Sequence, residues 1–294
     1  MDWVLLSAAG RLARVETAEP VWRARLRHGN ARADHDVITA AAPASGGAVG
    51  AVTSRGAAYR LELDDLPRLA PGGPWSLWDG PVADDLFALQ GGEHVAGLMS
   101  LDPDAPPLAL GTRGGVVKRV VPEYKGWETW EVMAVKEDDA IVGLAHAADT
   151  ADLVFITTDA QLLRLSAREV RAQGRPAGGM AGVKLADDAR VICSTAIARE
   201  DRDEAAVATL AVGPDAAATV KLTPFADYPA KGRATAGVRT QRFLKGQTRL
   251  ALAWAGLPPV RACDSTGAPR NLPAADDRRD GTGTKVYGPF FAFG

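Results

Sequence analysis

A pattern of about fifty residues, repeated six times, constrains this chain more than any other feature. Each copy has an apolar run, a short polar or glycine turn, and a second run that ends in a basic residue. The copies lie at 4–15 (VLLSAAGRLARV), 50–61 (GAVTSRGAAYRL), 108–120 (LALGTRGGVVKRV), 154–165 (VFITTDAQLLRL), 208–222 (ATLAVGPDAAATVKL) and 260–272 (VRACDSTGAPRNL). The first and last turn glycines, Gly10 and Gly267, stand five repeats apart, a mean period of about 51 residues. Short runs of β-branched and apolar residues around a small turn predict a β-hairpin in each copy. A second strand pair is expected after most hairpins, as at 139–146 (DAIVGLAH) and 190–197 (RVICSTAI). Four strands cannot bury an apolar face alone, and stacking repeats in a ring buries it. The expectation is an all-β, propeller-like ring of six four-stranded blades, forming one domain over 1–294. Helical signal is weak: 36–42 (DVITAAA) is short and ends at Pro43, and 200–206 (EDRDEAA) reads as a solvated loop.

Composition narrows the function classes. No apolar stretch approaches the ~18 residues of a membrane helix, so no membrane partner is expected. The start lacks the basic region and cleavage site of a signal peptide. Cys193 and Cys263 have no CxxC partner, which fits a reduced, cytoplasmic protein. There is no GxxxxGK[ST] phosphate loop, no HExxH and no GxSxG, so no catalytic residue and no metal site is assigned. The glycine-rich 175–182 stretch (RPAGGMAG) reads as a flexible loop. Paired acids such as Asp84-Asp85 and Asp138-Asp139 fall between strands, where aspartate serves turns. The tryptophan pairs Trp75/Trp78 and Trp127/Trp130 are expected in the core ahead of any stacking role. Net charge is −2, which argues mildly against nucleic acid but does not fix the local field.

Two basic patterns recur. Arg14, Arg60, Lys118-Arg119, Arg164, Lys221 and Arg270 follow the hairpin turns at equivalent places. One cation per blade on one rim would make a curved track for duplex phosphates. Solvated strand ends that discourage edge pairing are the equal alternative. The second pattern combines Gly, Arg and small residues at 172–183 (AQGRPAGGMAGV), 228–239 (YPAKGRATAGVR) and 278–283 (RRDGTG). Such loops can approach a phosphate closely, and tight connectors between blades need the same glycines.

The stretches 110–124 (LGTRGGVVKRVVPEY), 154–185 (VFITTDAQLLRLSAREVRAQGRPAGGMAGVKL) and 228–246 (YPAKGRATAGVRTQRFLKG) resemble the C-terminal domains of the A subunits of DNA gyrase and of its paralogue, topoisomerase IV. The resemblance spans essentially the whole chain. It implies a six-bladed β-pinwheel whose rim binds and bends double-stranded DNA for the catalytic core, without catalysis or cofactor of its own. ATP and Mg²⁺ would be used elsewhere in the holoenzyme. The implied partners are the other domains of the A subunit, the ATPase B subunit, and DNA. On that implication the DNA-binding residues are Arg14, Arg60, Arg113, Lys118, Arg119, Arg164, Arg175, Lys184, Lys221, Lys231, Arg233, Arg239, Arg242 and Lys245. Gyrase carries a Gln-Arg-Arg-Gly-Gly-Lys-Gly-like box after its first hairpin. The corresponding region here, 26–36 (LRHGNARADHD), has one glycine and no such box, and 173–179 (QGRPAGG) is only a partial echo. The expectation is therefore bending and decatenation or relaxation of the topoisomerase IV kind, with gyrase-like wrapping and a protein-binding propeller as alternatives.

Overall fold

The computed structural model describes residues 1–18, 20–21, 37–70, 75–123, 126–175, 177–214, 216–276 and 278–294. The segment 26–36, on which the missing box falls, lies outside the described residues, as does Tyr124. Among the described residues the sheets are five blades and one two-stranded remnant.

Five of the expected hairpins form. In blade 1, β1 (Asp2–Ser7) pairs with β2 (Leu12–Glu16), and in blade 2, β4 (Ala48–Thr53) pairs with β5 (Ala57–Glu62). Blade 3 has β8 (Leu108–Thr112) with β9 (Val116–Val120), and blade 4 has β12 (Asp152–Thr157) with β13 (Gln161–Ser166). Blade 5 has β17 (Ala206–Gly213) with β18 (Ala216–Pro224). Each hairpin gains an inner strand from its own repeat. These are β3 (Ile38–Pro43), β7 (Val95–Ser100), β11 (Ile141–His146), β16 (Val191–Ile197) and β20 (Arg249–Gly256). The weak helical signal at 36–42 thus gives way to a strand, since β3 pairs along β1 with only one register shift.

The outer edge is not built by its own repeat. β6 (Arg68–Leu69) follows the second hairpin yet lies parallel to β2 of blade 1. β10 (Thr129–Glu131) closes blade 2, and β14 (Ala172–Gln173) with β15 (Met180–Ala181) closes blade 3. β19 (Val238–Arg239) closes blade 4, and β22 (Thr284–Lys285) closes blade 5. Each repeat therefore lends its third strand to the preceding blade, and the second strand pair expected within a repeat is split between two blades. Apolar clusters fill the seams: Met99, Leu110 and Trp130 between blades 2 and 3, Phe155 and Val183 between 3 and 4, Ile156 and Phe225 between 4 and 5.

The recurring Gly/Arg segments are the devices that make this exchange possible. At Gly237 φ is +86° and a Cβ would stand 2.2 Å from the Leu162 carbonyl oxygen; at Gly179 φ is +85° and the Val117 carbonyl oxygen would be 2.6 Å away. Only glycine lets the lent strand approach its host this closely.

The sixth blade is a correction to the expected count. Residues 257–273 contain four prolines, which cannot donate to a ladder. Asp264 Oδ1 accepts bonds from the backbone N–H of Thr266 and Ala268, so a local turn replaces hairpin pairing. What remains is β21 (Ala262–Cys263) against β23 (Ala292–Phe293). The sixth repeat still lends β22 to blade 5. Its last residue, Gly294, packs on blade 1, where a Cβ would lie 2.3 Å from the Ile38 carbonyl oxygen.

Candidate nucleic-acid interface

The hairpin-end cations do not form an exposed track. Lys118, Arg119 and Lys221 are buried, with 0%, 2% and 1% exposure. Lys118 Nζ donates to the Val132 carbonyl at 2.7 Å and the Arg175 carbonyl at 2.5 Å. Burial pulls its pKa down to about 8, with Glu131 opposing the shift. Arg119 donates to the carbonyls of Ala167, Val170 and Ala147 and pairs with Asp149 at 2.8 Å. Burial lowers the Lys221 pKa against three nearby aspartates, Asp276, Asp227 and Asp280. None of these three side chains can reach a phosphate.

The others at this position are tied as well. Arg164 bonds the Asp152 carboxylate at 2.8 Å and the Tyr228 carbonyl at 3.0 Å. Arg60 pairs with Glu62, Arg14 faces Asp64 at 3.7 Å, and Arg270 pairs with Asp264. Val170 and Tyr228 each end the short 3-10 turn that leads into a lent strand. Arg119 and Arg164 thus clamp strand exchange. In blades 3 and 4 the recurring arginine therefore serves the structure, which neither a rim track nor a solvated strand end describes.

The exposed cations lie elsewhere. Segment 228–250 carries Lys231, Arg233, Arg239, Arg242, Lys245 and Arg249 and no acidic residue, and all six are exposed. Ala234 N–H donates to the Gly182 carbonyl at 2.7 Å, and Lys184 N–H to the Thr235 carbonyl at 3.0 Å. These bonds lay the loop on the outer edge of blade 3 beside the exposed Lys184. Arg239 sits in the outer strand of blade 4, and Arg242 N–H donates to the Gly281 carbonyl at the edge of blade 5. Lys245 and Arg249 continue onto the hairpin-turn end of blade 5, where Val212 pairs with Arg249. Arg233 is held in place by a bond from Nη1 to the Ala181 carbonyl and from its N–H to Glu169. A basic arc therefore runs over blades 3 to 5. Sequence reasoning named most of its members but missed Arg249, whose signal was the acid-free stretch itself.

Two further candidates are less free. Arg113 is exposed but bonds the Asp138 carbonyl at the tip of its hairpin. Arg175 lies 3.8 Å over the Trp127 ring. The stretch from β3 to the approach to β8 has the opposite character. Residues 37–107 hold nine acidic and three basic residues, and Arg55, Arg60 and Arg68 are bound to the Glu137 carbonyl, Glu62 and Glu16.

Comparison with known proteins agrees with this architecture. The family described as "DNA gyrase C-terminal domain, beta-propeller" matches residues 151–192 and 216–253. The DNA gyrase A subunit of Mycobacterium leprae is 28% identical over 198 residues, covering 65% of this chain and 14% of that protein. Its counterpart in Mycobacterium tuberculosis strain H37Rv is 27% identical over 205 residues, covering 67% and 23%. The chain thus spans less than a quarter of these relatives' length. A crystal structure of the C-terminal domain of DNA topoisomerase IV superposes with TM-score 0.74 at 18% identity, covering 100% of this chain and 92% of that one. A DNA gyrase A C-terminal domain superposes with TM-score 0.66 at 14% identity, covering 100% and 99%. The chain is thus similar in sequence to the DNA gyrase A subunit, in repeats matched by the gyrase C-terminal domain family, and it shares the fold of the C-terminal domains of DNA topoisomerase IV and DNA gyrase A.

Proposed function

We propose that this chain binds and bends duplex DNA without reading its sequence, as the non-catalytic C-terminal module of a type IIA topoisomerase A subunit. The observation that carries the proposal is the exposed basic arc of Lys184, Lys231, Arg233, Arg239, Arg242, Lys245 and Arg249, all but Lys184 drawn from a segment without acidic residues. Phosphate contacts of this kind release counterions and make affinity salt-dependent. If about five phosphates are neutralised, the log–log slope is about −4.5, and affinity falls roughly 500-fold between 50 and 200 mM salt. Fluorescence anisotropy on random duplexes measures this. A flat salt response rules out the arc as a phosphate track.

The arc covers blades 3 to 5, while the stretch 37–107 carries nine acidic residues that repel phosphate. Bending 20–30 bp by 40–90° costs about 1–6 kcal/mol and must be offset by contacts. A partial track favours a modest bend over a full wrap, and hence decatenation and relaxation of the topoisomerase IV kind. In this reading the remaining domains of the A subunit, together with the B subunit, supply cleavage and ATP hydrolysis in the bacterial cytoplasm. The second reading, gyrase-like wrapping, is favoured by the family match and by the curated gyrase relatives. Joining the domain to its catalytic core and B subunit with ATP and relaxed plasmid separates the two. Relaxation and decatenation without net negative supercoils support the first; efficient negative supercoiling establishes the second.

A further inference from the structure

The five inner strands surround a cavity of about 680 Å³ on the ring axis. That volume lies in the range of small-molecule sites. Its walls are apolar and kept open by small residues: Ala40 and Ala42 on β3, Ala145 on β11, Ala196 on β16 and Ala255 on β20. Trp254 adds a half-buried indole, and Leu98, Leu144 and Ile197 complete the apolar wall. On β7, β11, β16 and β20 the lining residues come from the strand ends away from the hairpin turns. The cavity therefore opens on the face opposite Lys245 and Arg249.

Among the described residues the charges that line it have one sign. Asp102, Asp104 and Asp201 line it, and among the described residues no lysine or arginine does. Asp102 Oδ1 accepts the Asp104 backbone N–H at 2.9 Å, which fixes the loop carrying both carboxylates. His146, the one histidine among the described lining residues, is committed on both nitrogens. Nε2 accepts the Ser100 N–H at 3.0 Å, which leaves Nδ1 to donate to the Pro106 carbonyl at 2.7 Å. Burial also holds its pKa below the usual value. The imidazole therefore adds no positive charge and has no free nitrogen for proton transfer. Among the described residues no group of three or more His, Cys, Asp or Glu could hold a metal ion. The arrangement suits binding, not catalysis, and it excludes phosphate.

We propose that this axial cavity is a binding site for an organic monocation: an amine carried on an aromatic or branched aliphatic body. The body would fill the alanine-lined space against Trp254, and the ammonium would sit among the carboxylates at the mouth. Burying the body removes apolar surface from water, and an aromatic body can stack on the indole. The site is independent of the basic arc, so duplex and amine should bind together.

Three probes of one shape test this: 2-(1-naphthyl)ethylamine, the corresponding alcohol, and 1-naphthylacetate. Tryptophan fluorescence and calorimetry follow binding to the full chain. The amine is expected to bind saturably at one site, the alcohol several-fold more weakly, and the carboxylate not at all. Asp104→Asn should weaken the amine roughly three-fold and leave the alcohol unchanged, the size expected of one partly exposed charge. Ala196→Leu should fill the space and abolish binding of both. Absence of saturable binding, equal binding of all three probes, an unchanged amine affinity in Ala196→Leu, or displacement of the amine by saturating duplex would each overturn the proposal. If Ala196→Leu fails to fold, the probe series and Asp104→Asn decide. Failure of duplex binding in a chain that holds the amine would overturn the DNA reading alone.

Discussion

Replacing Arg119 distinguishes a clamp from a phosphate contact. Arg119→Met keeps the stem and removes the donors that serve the carbonyls of Ala147, Ala167 and Val170. All three residues are buried, at 1% exposure or less. A buried acceptor left unpaired costs about 1–3 kcal/mol, and the Ala167 carbonyl keeps the bond from the Val170 N–H. The Asp149 partner is largely exposed and contributes little. The total is about 3–5 kcal/mol, the range for breaking a buried charge arrangement. At roughly 2–4 °C per kcal/mol for a chain of this order of size, the melting temperature should drop by about 10 °C. Circular dichroism melts measure the drop, and anisotropy well below the transition measures DNA affinity. The expected result is early melting with an unchanged salt slope. Melting within two degrees of wild type, together with a shallower salt slope, would refute the clamp and return Arg119 to the DNA track.

Four further outcomes follow from the same geometry. Arg239→Glu and Arg242→Glu should each weaken duplex binding and reduce the salt slope by about one, with melts shifted by no more than about 0.5 kcal/mol equivalent. Gly237→Ala should destabilise the fold by at least about 1–2 kcal/mol from its left-handed backbone alone, and by more from the Leu162 contact, seen as early loss of the blade 4 edge in hydrogen exchange. Arg164→Met should melt early for the reason given for Arg119, because it orphans the Tyr228 carbonyl and leaves the buried Asp152 carboxylate with Arg202 alone. Lys118 gives a pH signature: the unfolded side chain holds its proton to about 10.5 and the folded one to about 8. The unfolded state therefore binds more protons between those values, and the Lys118 contribution to stability rises with pH there. The difference between wild-type and Lys118→Met stability, measured by denaturant melts from pH 7 to 10, should grow in favour of wild type, and a flat difference would contradict the burial.

Much of the fold was legible because a ring repeats its local chemistry. Five hairpins fall within a few residues of the apolar runs and turns that announce them, since short apolar runs and small or polar turn residues are local signals. Strand lending was not legible. β6, β14 and β22 are two residues long, and which blade they close depends on contacts between repeats. The sixth repeat misled for a related reason: its apolar and basic spacing survives, but its four prolines and the Asp264 turn remove the N–H groups a ladder needs. The Gly/Arg segments kept two readings open, and the backbone decided for the connector at Gly179 and Gly237.

The charged residues show where repeat logic stops being a guide to an interface. Equivalent positions in a ring share a geometry, so a side chain that recurs from blade to blade is selected first by what those blades need. Arg119 and Arg164 meet the need to hold a lent strand, and that need is buried. A DNA path has no such symmetry, because duplex touches one arc of the ring and leaves the rest. Residues that serve it should therefore break the repeat, as segment 228–250 does by excluding acids while the stretch 37–107 accumulates them. On this view net charge near zero is no objection to DNA binding: a −2 chain holds an acidic stretch at 37–107 and a basic one at 228–250, and only the second need meet phosphate.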